Sequence, residues 1–121
     1  SLSQCRIADD GSQVSISGDM HWGGTAYPVQ GVGNGPLEAF VNAVSTVFGT
    51  PVAVLDYHEH AIASGAGAQA AAYVELSIGD SETLHGIGMD SNITQAAIRA
   101  VMSGLQRSAL IGQPEEQAAA A

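Results

Sequence analysis

Gly31-Val32-Gly33-Asn34-Gly35-Pro36-Leu37-Glu38-Ala39-Phe40 is the stretch on which the reading of the chain turns. Three glycines alternate with small or polar residues, and a proline then opens a segment with helical apolar spacing. The pattern predicts a strand that ends, turns sharply and feeds the N-terminus of a helix. Pro36 suits the first helical turn, where its missing N–H has no partner to lose. Such a terminus carries unpaired backbone N–H groups and the positive end of a helix dipole, so it suits a carboxylate or a phosphate. A second stretch, Gly86-Ile87-Gly88-Met89-Asp90-Ser91-Asn92-Ile93-Thr94-Gln95-Ala96-Ala97, reads as a variant of the first. Gly31 and Gly33 match Gly86 and Gly88 at an offset of 55 residues, and Ala43-Val44 match Ala100-Val101 at 57. The second copy is therefore expected to carry about two extra residues in its turn, and the chain to be two copies of one unit.

Outward from these turns, the remaining elements follow from period and punctuation. Cys5 to Ala8 is a short strand ended by Asp9-Asp10-Gly11, and Gln13 to Met20 alternates Val14 and Ile16 with Gln13, Ser15 and Ser17. His21-Trp22-Gly23-Gly24 reads as a turn and Thr25 to Val32 as a third strand, with Pro28 marking an edge or bulge. Leu37, Phe40, Val41, Val44, Val47 and Phe48 form one helical stripe, closed by Gly49 and Pro51. In the second half, Val52 to Ala63, Gln69 to Ile78 and Glu82 to Gly88 read as strands, with turns at Ser64 to Gly67 and at Gly79-Asp80-Ser81. A second helix is expected from about Asn92 to Leu110, capped by Asp90, Ser91 or Asn92, with Ile93, Ala96, Ala97, Ala100, Val101, Gly104 and Leu105 as its packing face. The order is β-β-β-α twice. The expected fold is α+β, two pseudo-repeated βββα units whose antiparallel sheets carry helices on one face. Unit one spans about 4–48 and unit two about 52–110 of a single domain over 1–110, with 111–121 as a disordered tail.

Composition narrows the function. A chain of 121 residues is one domain with a modest core, and with aromatics at only 5% its packing must rely on small residues. The net charge of −9, from twelve acids against three arginines and no lysine, excludes a broad nucleic-acid or anionic-membrane face. It leaves room for a small anionic ligand held by backbone N–H groups. One cysteine, Cys5, excludes an intrachain disulfide and a cysteine-based zinc site, and reads as an inert buried thiol. No run approaches the roughly 18 apolar residues of a membrane span, and no signal peptide is recognisable, which sets a cytoplasmic expectation. An enzyme reading finds no Gly-x-Ser-x-Gly elbow, and the absence of lysine excludes a phosphate loop.

Asp56, His58 and His60 alternate along the longest strand and would share one face, with His21 or His85 as a fourth ligand for zinc or another divalent ion. The plainer reading is a solvated polar face opposite Val54 and Tyr57. Strict alternation would put Val54 beside Asp56, so that reading requires a bulge or twist between them. Tyr57 by itself reads as a core tyrosine with a satisfied hydroxyl, and Trp22 as a loop anchor or interface residue. Gly-x-Gly also marks a plain strand-to-helix connection; its recurrence at matching positions is what favours a site.

Gly31-Val-Gly-Asn-Gly-Pro-Leu37, Leu55-Asp-Tyr-His-Glu-His-Ala61 and Gly86-Ile-Gly-Met-Asp-Ser-Asn-Ile-Thr-Gln-Ala96, in that order, resemble the C-terminal regulatory domain of 2-isopropylmalate synthase, most of all the actinobacterial form. The resemblance covers roughly residues 12–108. It implies a homodimeric leucine-sensing domain, without cofactor or catalysis of its own. The parent's catalytic TIM barrel, which condenses acetyl-CoA with 2-oxoisovalerate, needs roughly 250 residues and is not in this chain. Carried over by motif, the resemblance implies that Gly33, Asn34, Gly35 and Leu37 line one side of a leucine pocket. Val54, Tyr57 and Ala61 then come from the long strand, Ala68 from opposite, and Asp90 and Ile93 from the second turn. A zwitterion needs donors for its carboxylate, an acceptor for its ammonium and an apolar slot, and Asp90 is the expected charged acceptor. Asn92 departs from the family motif, which often has aspartate there. The alternatives are the isoleucine-sensing domain of citramalate synthase and a small metal-binding or structural dimer.

Overall fold

The computed structural model describes residues 1–62 and 67–114. Its elements run β1 (Leu2–Asp9), β2 (Val14–Trp22), β3 (Thr25–Gly33), α1 (Pro36–Phe48), β4 (Val52–Ala61), β5 (Ala70–Ile78), β6 (Glu82–Asp90) and α2 (Ile93–Gln106). Two three-stranded antiparallel sheets result, in the orders β1-β2-β3 and β4-β5-β6, each followed by a helix. This is the expected α+β pair of βββα units. Several bounds move. β1 starts at Leu2, not Cys5, and His21 and Trp22 close β2, so that the turn is Gly23-Gly24, both at positive φ. β6 runs on to Asp90, and α2 stops at Gln106 rather than Leu110. β4 ends at Ala61, and of the turn expected at Ser64 to Gly67 all but Gly67 lies outside the described residues.

The two units repeat more regularly than the glycines suggest. The bounds of β3 and β6, the N-caps Gly35 and Asn92 and the helix starts Pro36 and Ile93 all correspond at an offset of 57. The two extra residues expected in the second turn are absent: Gly31 corresponds to Gly88, and Gly33 to Asp90. The reason is contact with the overlying helix. A Cβ on Gly31 would lie 2.2 Å from the Ala39 carbonyl oxygen and 2.6 Å from the Ala43 nitrogen. One on Gly88 would lie 2.3 Å from the Ala96 oxygen and 2.4 Å from the Ala100 nitrogen. These glycines stand inside the strands and let helix backbone touch sheet backbone. The turn itself is confined to Asn34 and Gly35.

α1 packs on β3 and reaches β4, α2 packs on β6 and β5, and the helices touch each other. One continuous core joins both units, from Ile16, Met20 and Phe40 to Leu76, Ile78 and Leu105. Fully burying each such side chain stabilises the fold by about 1.5–3 kcal/mol. Ser45 ties the units at the backbone, its Oγ accepting the Val52 N–H at 3.0 Å and donating to the Val41 carbonyl at 2.8 Å. Trp22 packs edge-on to Phe48, with ring centroids 4.9 Å apart, which fits the expected anchor. Cys5 is half-buried, and burial pushes its thiol up.

The expected tail begins too early. After α2, the Glu82 carboxylate accepts hydrogen bonds from the Ser108 hydroxyl and from the N–H groups of Ala109 (3.0 Å) and Leu110 (3.4 Å). Ile111 then joins the core and Pro114 is buried. An apolar residue five places beyond a helix end has no periodic partner in sequence, so its burial was not legible there. The remainder of the expected tail, 115–121, lies outside the described residues.

Candidate functional site: a groove between the two helix starts

The long strand β4 sets one wall. Its register pairs Val54 with Leu76 and Asp56 with Glu75, leaving Leu55 as the extra residue of a bulge. The bulge required between Val54 and Asp56 is therefore present. Beyond it Tyr57 packs against the core, while Asp56 and His58 are exposed. Without the extra residue every side chain past Val54 would change face.

Tyr57 and Glu59 meet the first turns of both helices around a groove of about 270 Å³. α1 and its N-cap contribute Gly35, Pro36, Leu37 and Glu38, and α2 contributes Ile93, Thr94, Ala97 and Ile98. Pro36 and Leu37 correspond to Ile93 and Thr94 at the offset of 57, so the groove lies where the repeated units face each other. Two positive helix ends converge here. Gly35 offers no side-chain acceptor to the first turn of α1, whereas Asn92 Oδ1 caps α2 by accepting the Gln95 N–H at 3.0 Å. On the β4 wall the Tyr57 hydroxyl donates to Glu59 Oε2 at 2.7 Å. Burial, then that carboxylate, push the Tyr57 hydroxyl up to about 12, so it remains a donor at neutral pH. Chemically the groove offers apolar walls, backbone donors at an uncapped helix end, and carboxylates at its rim.

Four of the ten residues expected at the leucine pocket line this groove: Gly35, Leu37, Tyr57 and Ile93. Val54 lines an adjoining cleft, which shares Leu37 and Glu38 and is completed by Val41, Asn42, Val52 and Ala53. Gly33 is buried beneath α1, where a Cβ would lie 2.7 Å from the Ala39 nitrogen. Asn34 and Ala61 are exposed, Ala68 is half-buried, and none of the three lines the groove. Asp90 is committed locally: Oδ1 accepts the Asn92 N–H at 2.9 Å and Oδ2 lies 3.3 Å from Arg99 Nη2.

Of the alternating acid and histidines, Asp56 and His58 stay paired and only His60 departs. His58 Nε2 lies 3.1 Å from Asp56 Oδ2, and the ring of His60 lies instead against Tyr73, at 5.1 Å between centroids. His85 pairs with Glu75 at 3.4 Å, and His21 is on the other sheet, 2.8 Å from Ser3 Oγ. Among the described residues no three His, Cys, Asp or Glu side chains converge as a metal-holding group.

A family model described as the LeuA allosteric (dimerisation) domain matches residues 1–109. The chain belongs to that family. It is 44% identical over 103 residues to a 2-isopropylmalate synthase of Cupriavidus taiwanensis, covering 84% of this chain and 17% of that protein. It is 48% identical over 100 residues to one of Mycobacterium ulcerans, covering 83% and 17%. A third, from Pseudomonas syringae pv. tomato, is 40% identical over 116 residues, covering 94% and 19%. The chain thus spans less than a fifth of the length of the curated relatives it matches. Within this LeuA domain, sequence reading missed Pro36, Glu38, Glu59, Thr94, Ala97 and Ile98 as groove residues. Glu59 was within reach, two places after Tyr57 on one strand face. Ala97 and Ile98 were not, because their apolar spacing is that of any packing stripe.

Proposed function

We propose that this LeuA domain is the leucine-sensing regulatory module of a 2-isopropylmalate synthase and binds L-leucine in the groove between the helix starts. The observation that carries the reading is the convergence of both first helical turns with Tyr57 and Glu59 around one apolar-walled groove. The ligand carboxylate goes to the N-terminal turn of α1, where no side chain competes for the N–H groups. The isobutyl group goes among Leu37, Ile93 and Ala97. The domain works as a cytoplasmic homodimer, joined in the parent to a separate catalytic domain that condenses acetyl-CoA with 2-oxoisovalerate. Feedback inhibition then requires that leucine bind the states of that parent unequally, since equal affinity shifts no population. The domain itself needs no cofactor and catalyses nothing.

Calorimetric titration of the 121-residue chain with leucine, isoleucine and valine tests the reading. Saturable heat that is strongest for leucine is the expected result. Silence toward all three at millimolar concentration overturns it. Tighter binding of isoleucine would transfer the domain to citramalate synthase.

A further inference from the structure

Three carboxylates stand near the helix starts, and they are not equivalent. Asp90 has both oxygens engaged, one by the Asn92 N–H and the other by the Arg99 guanidinium, and it does not line the groove. Its charge is already balanced, and its geometry holds the turn into α2. Glu38 lines the groove from the first turn of α1, but it is already well placed against the positive helix end. Glu59, exposed like Glu38, lines the groove from β4, and no arginine or histidine pairs with it among the described residues. Its Oε2 is fixed at 2.7 Å by the Tyr57 hydroxyl, a neutral donor that orients the carboxylate without cancelling its charge.

We propose that Glu59, held in place by the Tyr57 hydroxyl, is the acceptor that recognises the α-ammonium group of an amino acid bound in the groove. The proposal rests on the amino-acid reading above and assigns within it a role that sequence reading gave to Asp90. An ammonium group meets in Glu59 an ionised acceptor at the groove rim, and hydrogen bonds to an ionised acceptor are roughly twice as strong as neutral ones. One oxygen is held by Tyr57 and the other is left for the ligand. A ligand of the same shape without the amino group forgoes that charge-assisted hydrogen bond, which is the source of discrimination.

The test compares L-leucine with 4-methylpentanoate, the same acid without its amino group, by calorimetry on the 121-residue chain. The native chain is expected to prefer leucine by about tenfold or more. Glu59→Gln is expected to lower leucine affinity by about tenfold and leave 4-methylpentanoate unchanged or tighter, which collapses the preference. Tyr57→Phe, which frees the carboxylate without removing it, is expected to cost several-fold in leucine affinity and keep part of the preference. Asp90→Asn is expected to lower the melting temperature and keep the preference. Glu59→Gln with its preference intact overturns the assignment, as does Asp90→Asn losing the preference at an unchanged melting temperature; leucine binding would stand in both cases. A native chain that binds neither compound removes the amino-acid reading itself.

Discussion

Gly31 and Gly35 sit four residues apart in one motif and answer to different forces. Gly31 lies under α1 with no room for a methyl group, its hypothetical Cβ 2.2 Å from a backbone oxygen. Gly35 is extended at φ −153°, and a Cβ there meets nothing within 4 Å. Gly31→Ala is therefore expected to destabilise the domain by about 3 kcal/mol or more, because helix and sheet must separate. Urea unfolding measures this, and a loss below about 1 kcal/mol would contradict the close contact. Gly35→Val is expected to cost only about 1 kcal/mol, since glycine is merely the better N-cap, while obstructing the groove and weakening leucine binding far more. A mutant that unfolds instead would make the role of Gly35 purely structural. The two substitutions separate what the glycine pattern merges: one glycine serves packing and the other borders the groove.

At the scale of elements, the junctions carry most of the specificity. The β4 bulge turns Tyr57 and Glu59 toward the helices, and Asn92 starts α2 with a side-chain cap that α1 lacks. The segment after α2 is fastened to the start of β6 by Glu82, whose carboxylate is held below its ordinary 4.5 by hydrogen bonds from Ser108 and Ala109. A carboxyl group depressed on folding contributes stability that is present above its unfolded value and is lost as pH falls through its folded one. Asp10 is depressed likewise, by backbone N–H groups of Gln13 and Ser12 in the turn after β1. The domain is thus expected to weaken below about pH 4.5, and Glu82→Gln to flatten that acid limb relative to the native chain. Melting temperatures between pH 3 and pH 7, on the order of one unit apart, measure the slopes. Parallel acid limbs for the two proteins would show that the Glu82 clamp contributes nothing.

For the whole molecule, the shared core decides whether two repeats behave as two domains or one. The core cluster runs through both units, α1 touches β4 and α2, and Ser45 bonds across the junction at Val52. Unfolding is therefore expected in a single cooperative step. Trp22, the only tryptophan, lies in unit one beside Phe48, so its fluorescence reports that unit, while far-ultraviolet circular dichroism reports both. Coincident urea curves from the two probes are expected. Fluorescence that changes well before ellipticity would mean that the units unfold separately and that the groove between them has no fixed shape.

The sequence by itself determined the repeated order β-β-β-α, the stripes of both helices, the need for a bulge before Asp56 and the resemblance that three motifs carry together. These are local or periodic properties, set by side-chain alternation, by helical spacing and by glycine and proline punctuation. Only the tertiary structure decided the offset of 57, the choice of Asn92 as cap, the burial of Ile111 and the meeting of Glu59 with both helix starts. Each of these depends on which backbone lies over which. Gly-x-Gly reads the same whether it opens a turn or admits a helix, and an aspartate near a helix start reads as a free acceptor until its arginine is found. Distance between segments far apart in the chain decides between such readings, and residue spacing along the chain does not encode it.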